Sequence, residues 1–354
     1  MSSKPILGLT MGDPAGIGPE ICLRALRQPT VLEECVPVLF GDARISQMLL
    51  SLDSFPSHGL KGRAETERTQ ALPWRTISLA EWQEGVTCTE PLLVDCATPD
   101  WDQIEPGQIS AAAGRAGYRS IEEAIRAALA GRIEAVVTAP IHKEALRLSG
   151  VNFPGHTEMF TALTGAPRSC MMLYSDKLTV SMVTTHIGYH EVPDRLSVER
   201  VLNVIELTAE TMNWMLRRSP RLGVCGLNPH AGEHGLFGQC EEDKFVAPAV
   251  AEARRRGIDA TGPLVPDAAF TAGMRKKFDA FVCLYHDQGH IPFKMLAFDT
   301  GVNLTLGLPI VRTSVDHGTA FDIAWQDKAD PTSLCSAIRV AAQLAAGRRT
   351  QPVP

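Results

Sequence analysis

No apolar stretch in this 354-residue chain approaches the ~20 residues needed to cross a bilayer as a helix. No C-x-x-C pair occurs among its nine cysteines. Cys22, Cys225 and Cys283 lie inside apolar runs, which excludes a disulfide framework and reads as reduced thiols packed in a core. An excess of positive charge is also missing: 34 Lys and Arg stand against 40 Asp and Glu, for a net charge of −6. That balance gives no electrostatic case for nucleic acid. The basic clusters at Arg217, Arg218 and Arg221 and at 254–256 flank or sit in helical patterns and read as solvated faces. There is no G-x-G-x-x-G fingerprint, no P-loop G-K-[ST], no repeat and no low-complexity tract. The first residues, MSSKPILGLTMGD, run straight into a strand-like segment without a targeting pattern, so a cytoplasmic location is expected.

What is present is the make-up of an ordinary globular enzyme, 45% hydrophobic and 21% charged, too long for one core and so expected to form two lobes. Strand-like runs at 6–11, 36–40 and 135–138, and three more in the 180s, 220s and 280s, alternate with helical patterns at 109–130, 201–216 and 246–256. Another helix is expected to start near Pro19, a favoured first-turn residue. This alternation predicts α/β architecture with mainly parallel sheets and helices on both faces. Residues 51–76 carry little periodicity and read as a surface excursion. No linker separates the lobes, and a discontinuous domain is expected.

Three apolar runs end on a histidine: 177–185 on His186, 222–227 on His230 through Asn228 and Pro229, and 281–285 on His286. In open parallel sheets ligands bind outside the carboxyl ends of strands, and three imidazoles there suit a divalent metal. Each alone is equally a buried histidine satisfied by backbone. Asn228, Asp267 and Asp287 stand close by, as partners of the imidazoles or as acid/base groups.

Four other segments carry chemistry. Gly12-Asp13-Pro14-Ala15-Gly16-Ile17-Gly18-Pro19-Glu20 sits between a strand and a helix, either as an anion-binding turn or as a tight turn alone. Gly155-His156-Thr157 offers a cation or donor and a hydroxyl to a phosphate or carboxylate. Lys294, Asn303 and Arg312 recur within 18 residues of apolar sequence. That apolar context argues for anion binding over a solvated face. The string 316–324, with His317, Gly318, Thr319 and Asp322, opens a short helix as an anion- or ribose-binding loop.

Taken together these segments resemble the 4-hydroxythreonine-4-phosphate dehydrogenase family. The resemblance runs over nearly the whole chain, from GDPAGIGPE to HGTAFDIAW, with GLNPHAGE and YHDQG as its specific strings. The two end segments also resemble the isocitrate and isopropylmalate dehydrogenases. The resemblance implies two α/β/α lobes with the active site in the cleft between them. We expect a discontinuous cofactor-side lobe at 1–140 plus 295–354, and a metal and dimerisation lobe at 141–294. It further implies NAD, one divalent ion (Zn, Mg, Mn or Co) on His186, His230 and His286, and a homodimer that completes the site across its interface. The phosphorylated substrate maps onto His156, Thr157, Lys294, Asn303 and Arg312. The nucleotide maps onto the 317–322 loop, with Gly12, Asp13, Gly16, Gly18 and Glu20 close to it. Asp267 and Lys294 are the candidate general bases. YHDQGHIP and GTAFDIAW are more similar to the branch acting on 4-phospho-D-threonate or 4-phospho-D-erythronate than to the biosynthetic pattern. In that pattern an aliphatic residue often stands at the position of His290. A branch oxidising cis-dihydrodiols lacks the G-H-T and R-T residues, which this chain has at 155–157 and 312–313.

Overall fold

The computed structural model describes residues 4–51 and 74–350, so most of the 51–76 excursion lies outside the described residues. In chain order the strands are β1 (Ile6–Thr10), β2 (Val36–Gly41), β3 (Arg75–Ser78), β4 (Leu92–Asp95), β5 (Ala135–Thr138), β6 (Cys170–Tyr174), β7 (Thr179–Met182), β8 (Arg221–Cys225), β9 (Asp259–Leu264), β10 (Ala280–Cys283), β11 (Val302–Leu306) and β12 (Val311–Val315). The helices used below are α1 (Gly18–Ala25), α2 (Ala111–Leu129), α3 (His156–Thr164), α4 (Val198–Leu216), α5 (Ala247–Arg255), α6 (Pro266–Ala269) and α7 (His286–Ala297). The chain forms two compact units, Met1–Gly165 with Pro309–Ala345, and Ala166–Leu308 with Ala346–Pro354.

The first unit holds strands in the order β3-β4-β2-β1-β5-β12, and every pairing is parallel. β1, β2 and β5 read as near-continuous apolar runs because both faces of the sheet are covered; Leu7, Leu9, Val38, Leu39, Val136 and Val137 are fully buried. α2 covers one face. Ser110 caps it by accepting from Ala113 N at 3.1 Å, and its buried stripe includes Ala113, Gly117, Ile121, Ala124 and Ile125. The small residues let the helix backbone approach the strands closely.

The second unit holds β11-β6-β7-β10-β8-β9. β7, β10, β8 and β9 are mutually parallel, while β6 pairs antiparallel with both β11 and β7. α4 packs on this sheet with Val201, Val204, Ile205 and Met212 buried. Each such aliphatic side chain contributes roughly 1.5–3 kcal/mol. Thr208 on its inner face donates to Val204 O at 2.7 Å and meets Ser181 Oγ of β7 at 2.8 Å.

Both units order their loops alike. In the first, β1, β5 and β12 are parallel neighbours, so the segments after them (12–20, 139–142 and 316–322) leave from the same strand ends. In the second, β7, β10 and β8 are parallel neighbours, so the histidine segments leave from the same strand ends.

Candidate active site

Two hydrogen-bonded bridges tie the histidine-bearing strand ends together. The β7–β10 ladder continues past the strands through Val183 N to Cys283 O (2.8 Å) and Thr184 N and Oγ1 to Leu284 O (3.2 and 2.7 Å). Gln288, buried at the start of α7, accepts from Leu284 N and donates to Gly226 O, both at 2.7 Å, joining the ends of β10 and β8. On this frame the His186 and His286 rings come to 5.6 Å between centroids. His186 and His230 are exposed and His286 is half-buried, so solvent reaches all three.

The imidazoles are oriented by acids beside them. His286 Nδ1 lies 2.7 Å from Asp287 Oδ1, and His230 Nδ1 lies 2.9 Å from Glu233 Oε1. A carboxylate only accepts, so each Nδ1 carries a proton, and in the neutral ring Nε2 then keeps its lone pair. That is the usual preparation of a metal-ligating histidine. The other oxygen of Asp287 accepts from the Tyr189 hydroxyl at 2.7 Å. Tyr189, then His286, hold the Asp287 carboxyl below its ordinary range. Among the described residues no group of three His, Cys, Asp or Glu is arranged within the chain to hold a metal.

His230 sits in a backbone that L-residues avoid. From His230 to His234 every φ is positive (55, 55, 79, 41 and 55°). Left-handed geometry costs about 1–2 kcal/mol for each non-glycine residue, and only Gly232 is exempt. His290, one turn into α7, stacks on His286 with centroids 3.6 Å apart and planes 10° apart. Its Nδ1 donates to His286 O at 2.9 Å. Burial, more than any neighbour, pushes its pKa down to about 4, so it is neutral.

Lys294 lies on the same helix and is exposed. Its apolar neighbours do not bury it: Ile291, Met295 and Phe298 are themselves 57, 82 and 70% exposed. Their spacing along the helix places them on one outward face, which a count of apolar residues along the chain overlooks. Asn303, on β11 opposite Leu173, has a buried Oδ1 without a hydrogen-bond partner among the described residues. Asp267 is exposed on α6, which packs against the His230 turn.

In the first unit His156 and Arg312 face each other electrostatically. Arg312 is 3% exposed, donates to Thr138 Oγ1 at 2.7 Å and lies 5.4 Å from the Phe160 ring centroid. Burial pushes its pKa down to about 9, against the pull of Glu158. His156 opens α3 with Thr157 beside it. Burial first, and Arg312 second, hold its pKa far below the usual value. Its buried Nε2 has no hydrogen-bond partner among the described residues. A buried guanidinium beside a neutral imidazole at a helix N-terminus is a donor set that suits an anion.

The two end motifs, about 300 residues apart in sequence, meet. Ile17 N donates to Thr319 O at 3.0 Å, and Trp325 Nε1 to Pro14 O at 3.0 Å. Gly12 has φ +72°, and a Cβ there would come within 2.3 Å of Pro140 O. That glycine therefore admits the chain's own backbone. Glu20 is fully buried and accepts from Ala329 N at 2.9 Å, so its carboxylate braces the loop. Asp13 accepts from Ala15 N at 2.9 Å through Oδ1, while its buried Oδ2 has no hydrogen-bond partner among the described residues. Burial raises the Asp13 pKa to about 6. His317 is half-buried, with Nδ1 3.0 Å from Gly318 O. The helix expected at the end of this string is a single 3₁₀ turn, Phe321–Ile323, with Asp322 exposed.

Sequence reading missed Glu233, Tyr189, Gln288 and the acids Glu241 and Glu242 behind the His230 turn. Glu233 stands three residues after His230 and could have been found from that spacing; the others meet their partners only through the fold.

The fold is that of an α/β enzyme, with strand-end imidazoles in one unit and a buried guanidinium in the other. Comparison with known proteins gives the family: residues 33–341 match the model described as pyridoxal phosphate biosynthetic protein PdxA, and the chain belongs to it. It is 44% identical to 4-hydroxythreonine-4-phosphate dehydrogenase of Desulforapulum autotrophicum over 96% of this chain and 95% of that protein. It is also 44% identical to D-threonate 4-phosphate dehydrogenase of Cupriavidus necator over 97% and 98%. The crystal structure of 4-hydroxythreonine-4-phosphate dehydrogenase from Klebsiella pneumoniae matches with a TM-score of 0.81 at 39% identity, over 97% of this chain and 100% of that one. The chain is a dehydrogenase of this family.

Proposed function

We propose that the chain oxidises the 3-hydroxyl of 4-phospho-D-threonate or 4-phospho-D-erythronate with NAD, and that the 3-keto acid formed loses carbon dioxide. The observation that carries the reading is the preparation of His230 and His286, each with Nδ1 given to a carboxylate and Nε2 left open at the ends of neighbouring parallel strands. That donor chemistry fits a divalent ion, Zn, Mg, Mn or Co, with His186 as the third ligand. The solvent-reachable imidazoles suit a site completed in a homodimer. The choice of substrate branch rests on the string Tyr285–Pro292 with its buried His290, since relatives of both names are equally identical to this chain.

In this reading Arg312, His156 and Thr157 take a substrate anion, with Lys294 and Asn303 as further donors. Arg312 is desolvated in advance, so an arriving anion gains a full charge-assisted contact rather than one shared with water. Neutral His156 offers a donor without adding charge to the buried guanidinium. Asp267 and Lys294 remain the candidates to take the hydroxyl proton; both are solvent-exposed and able to pass it on. Asp13, with one carboxylate oxygen unclaimed, suits the nucleotide side together with Gly12, Gly16, Gly18, His317, Gly318, Thr319 and Asp322, and Glu20 supports that loop. A divalent ion held by His186, His230 and His286 would supply stabilisation for negative charge developing on the substrate oxygen, and a nicotinamide cofactor would supply the hydride acceptor. Nine unpaired cysteines suit a reducing compartment, and no described helix is long and apolar enough to cross a membrane.

The test is NADH formation by the metal-supplied protein with 4-phospho-D-threonate, 4-phospho-D-erythronate and 4-phosphohydroxy-L-threonine. Higher kcat/KM for one of the first two supports the reading. Preference for the third moves the chain to the biosynthetic branch. Turnover of none removes the proposal.

A further inference from the structure

The turn that carries His230 is wound around a buried carboxylate. Glu242 is 2% exposed and opens a single π-turn, Glu242–Val246, that leads into α5. Its Oε1 accepts from Leu227 N at 2.8 Å and Asn228 N at 2.7 Å, and its Oε2 accepts from Asn228 Nδ2 at 3.2 Å. Glu241 stands behind it, accepting from Asn228 Nδ2 at 2.9 Å and Gln239 N at 2.7 Å. A Cβ on Gly232 would lie 2.4 Å from Glu242 Oε2, so the left-handed backbone rests directly on the carboxylate.

Neither acid has a part in the chemistry proposed above, yet both are buried and committed to the segment that precedes His230. Left-handed backbone persists in L-residues only where the surroundings over-determine it. Resting on the reading of His230 as a metal ligand, we infer that Glu242, backed by Glu241, is a positioning residue: it fixes Leu227 and Asn228 at the entry to the left-handed run 230–234, lies against Gly232 within it, and so sets the direction of His230 Nε2. His186 and His286 are placed without Glu242, through β7, β10 and Thr184. Loss of the Glu242 charge therefore moves one imidazole of three.

The experiment titrates the full-length protein with Co²⁺ alone, read by visible absorption, alongside kinetics. Glu242→Gln keeps the side-chain volume but sets an amide against N–H donors. The expected result is Co²⁺ affinity roughly 10- to 100-fold weaker, the range found when the partners of metal ligands are removed. The absorption band should change shape and kcat should fall, while KM for the phosphorylated substrate is unchanged at saturating metal. Glu242→Asp, which restores the charge one methylene short, should recover part of the affinity. Gly232→Ala places a methyl against Oε2 and should weaken Co²⁺ binding without touching the acid, which keeps the inference testable if Glu242→Gln does not fold. Wild-type Co²⁺ affinity and spectrum in the folded Glu242→Gln or Gly232→Ala protein would overturn it. His230→Ala separates the two layers. If that variant loses Co²⁺ while Glu242→Gln keeps it, only the positioning role falls. If it binds Co²⁺ as the wild type does, the metal reading of His230 falls and the positioning role with it.

Discussion

The His286 and His290 rings stack face to face, 3.6 Å between centroids, while His286 Nδ1–H donates to Asp287 Oδ1. The ring is thus fixed at an edge by a carboxylate and on a face by a second, neutral imidazole. Replacing His290 by Leu removes the stack and the donation to His286 O. We expect Co²⁺ affinity about 10-fold weaker, with His290→Phe closer to wild type because it keeps a flat partner. Equal affinities in Leu, Phe and wild-type proteins would mean that the stack orients nothing.

Arg312 should be intolerant of its conventional substitute. Lysine carries the charge but not the planar fork, and in a buried setting its ammonium is readily deprotonated. Arg312→Lys is expected to raise KM for the phosphorylated substrate about 100-fold, equivalent to about 2.7 kcal/mol, with a smaller effect on kcat. Steady-state kinetics decide this. A change confined to kcat would point away from ground-state anion binding.

Asp13 makes stability depend on pH in a direction that can be worked out. Its pKa is about 6 in the folded chain against 3.8 for the ordinary carboxyl, so the folded state binds the proton more tightly. The stabilisation from this group is present below about pH 4 and is lost as pH rises through about 6, a change on the order of 3 kcal/mol. Asp13→Asn keeps an acceptor for Ala15 N and cannot ionise. Its stability relative to wild type should rise between pH 4 and 6 and then level off. Urea unfolding at pH 4, 6 and 8 measures it, and a difference independent of pH would refute the assignment.

The Thr208–Ser181 pair tests the packing of α4 on the second sheet. Thr208→Val keeps the shape but strands a fully buried hydroxyl on β7. A loss of about 1–3 kcal/mol follows, read as a lower urea midpoint with unchanged slope. Unaltered stability would show that the buried pair contributes no net free energy.

The strand-end histidines were legible because an apolar run that stops on a polar residue marks where a buried parallel strand reaches its edge. That β7, β10 and β8 would be neighbours was not, since strand order depends on crossovers that leave no local trace. Arg312 was visible as a charge in an apolar context, and it is buried. At Lys294 the apolar neighbours form an outward helical face instead, and the lysine is exposed. The glycine-rich segment read equally as an anion-binding turn or as a tight turn; Gly12 packs on Pro140 O, a contact that periodicity cannot register. Glu242 was hidden most completely: it lies beyond a turn whose left-handed backbone no residue pattern announces, and its partners are backbone N–H groups.

The central claim is one metal held jointly by His186, His230 and His286. The most direct measurement is Co²⁺ titration of the full-length protein and of the three single alanine variants, with bound metal counted per chain. One ion per chain in the wild type, and loss of at least 100-fold in affinity in each variant, is the predicted result. Wild-type affinity and spectrum in any one of the three would contradict it.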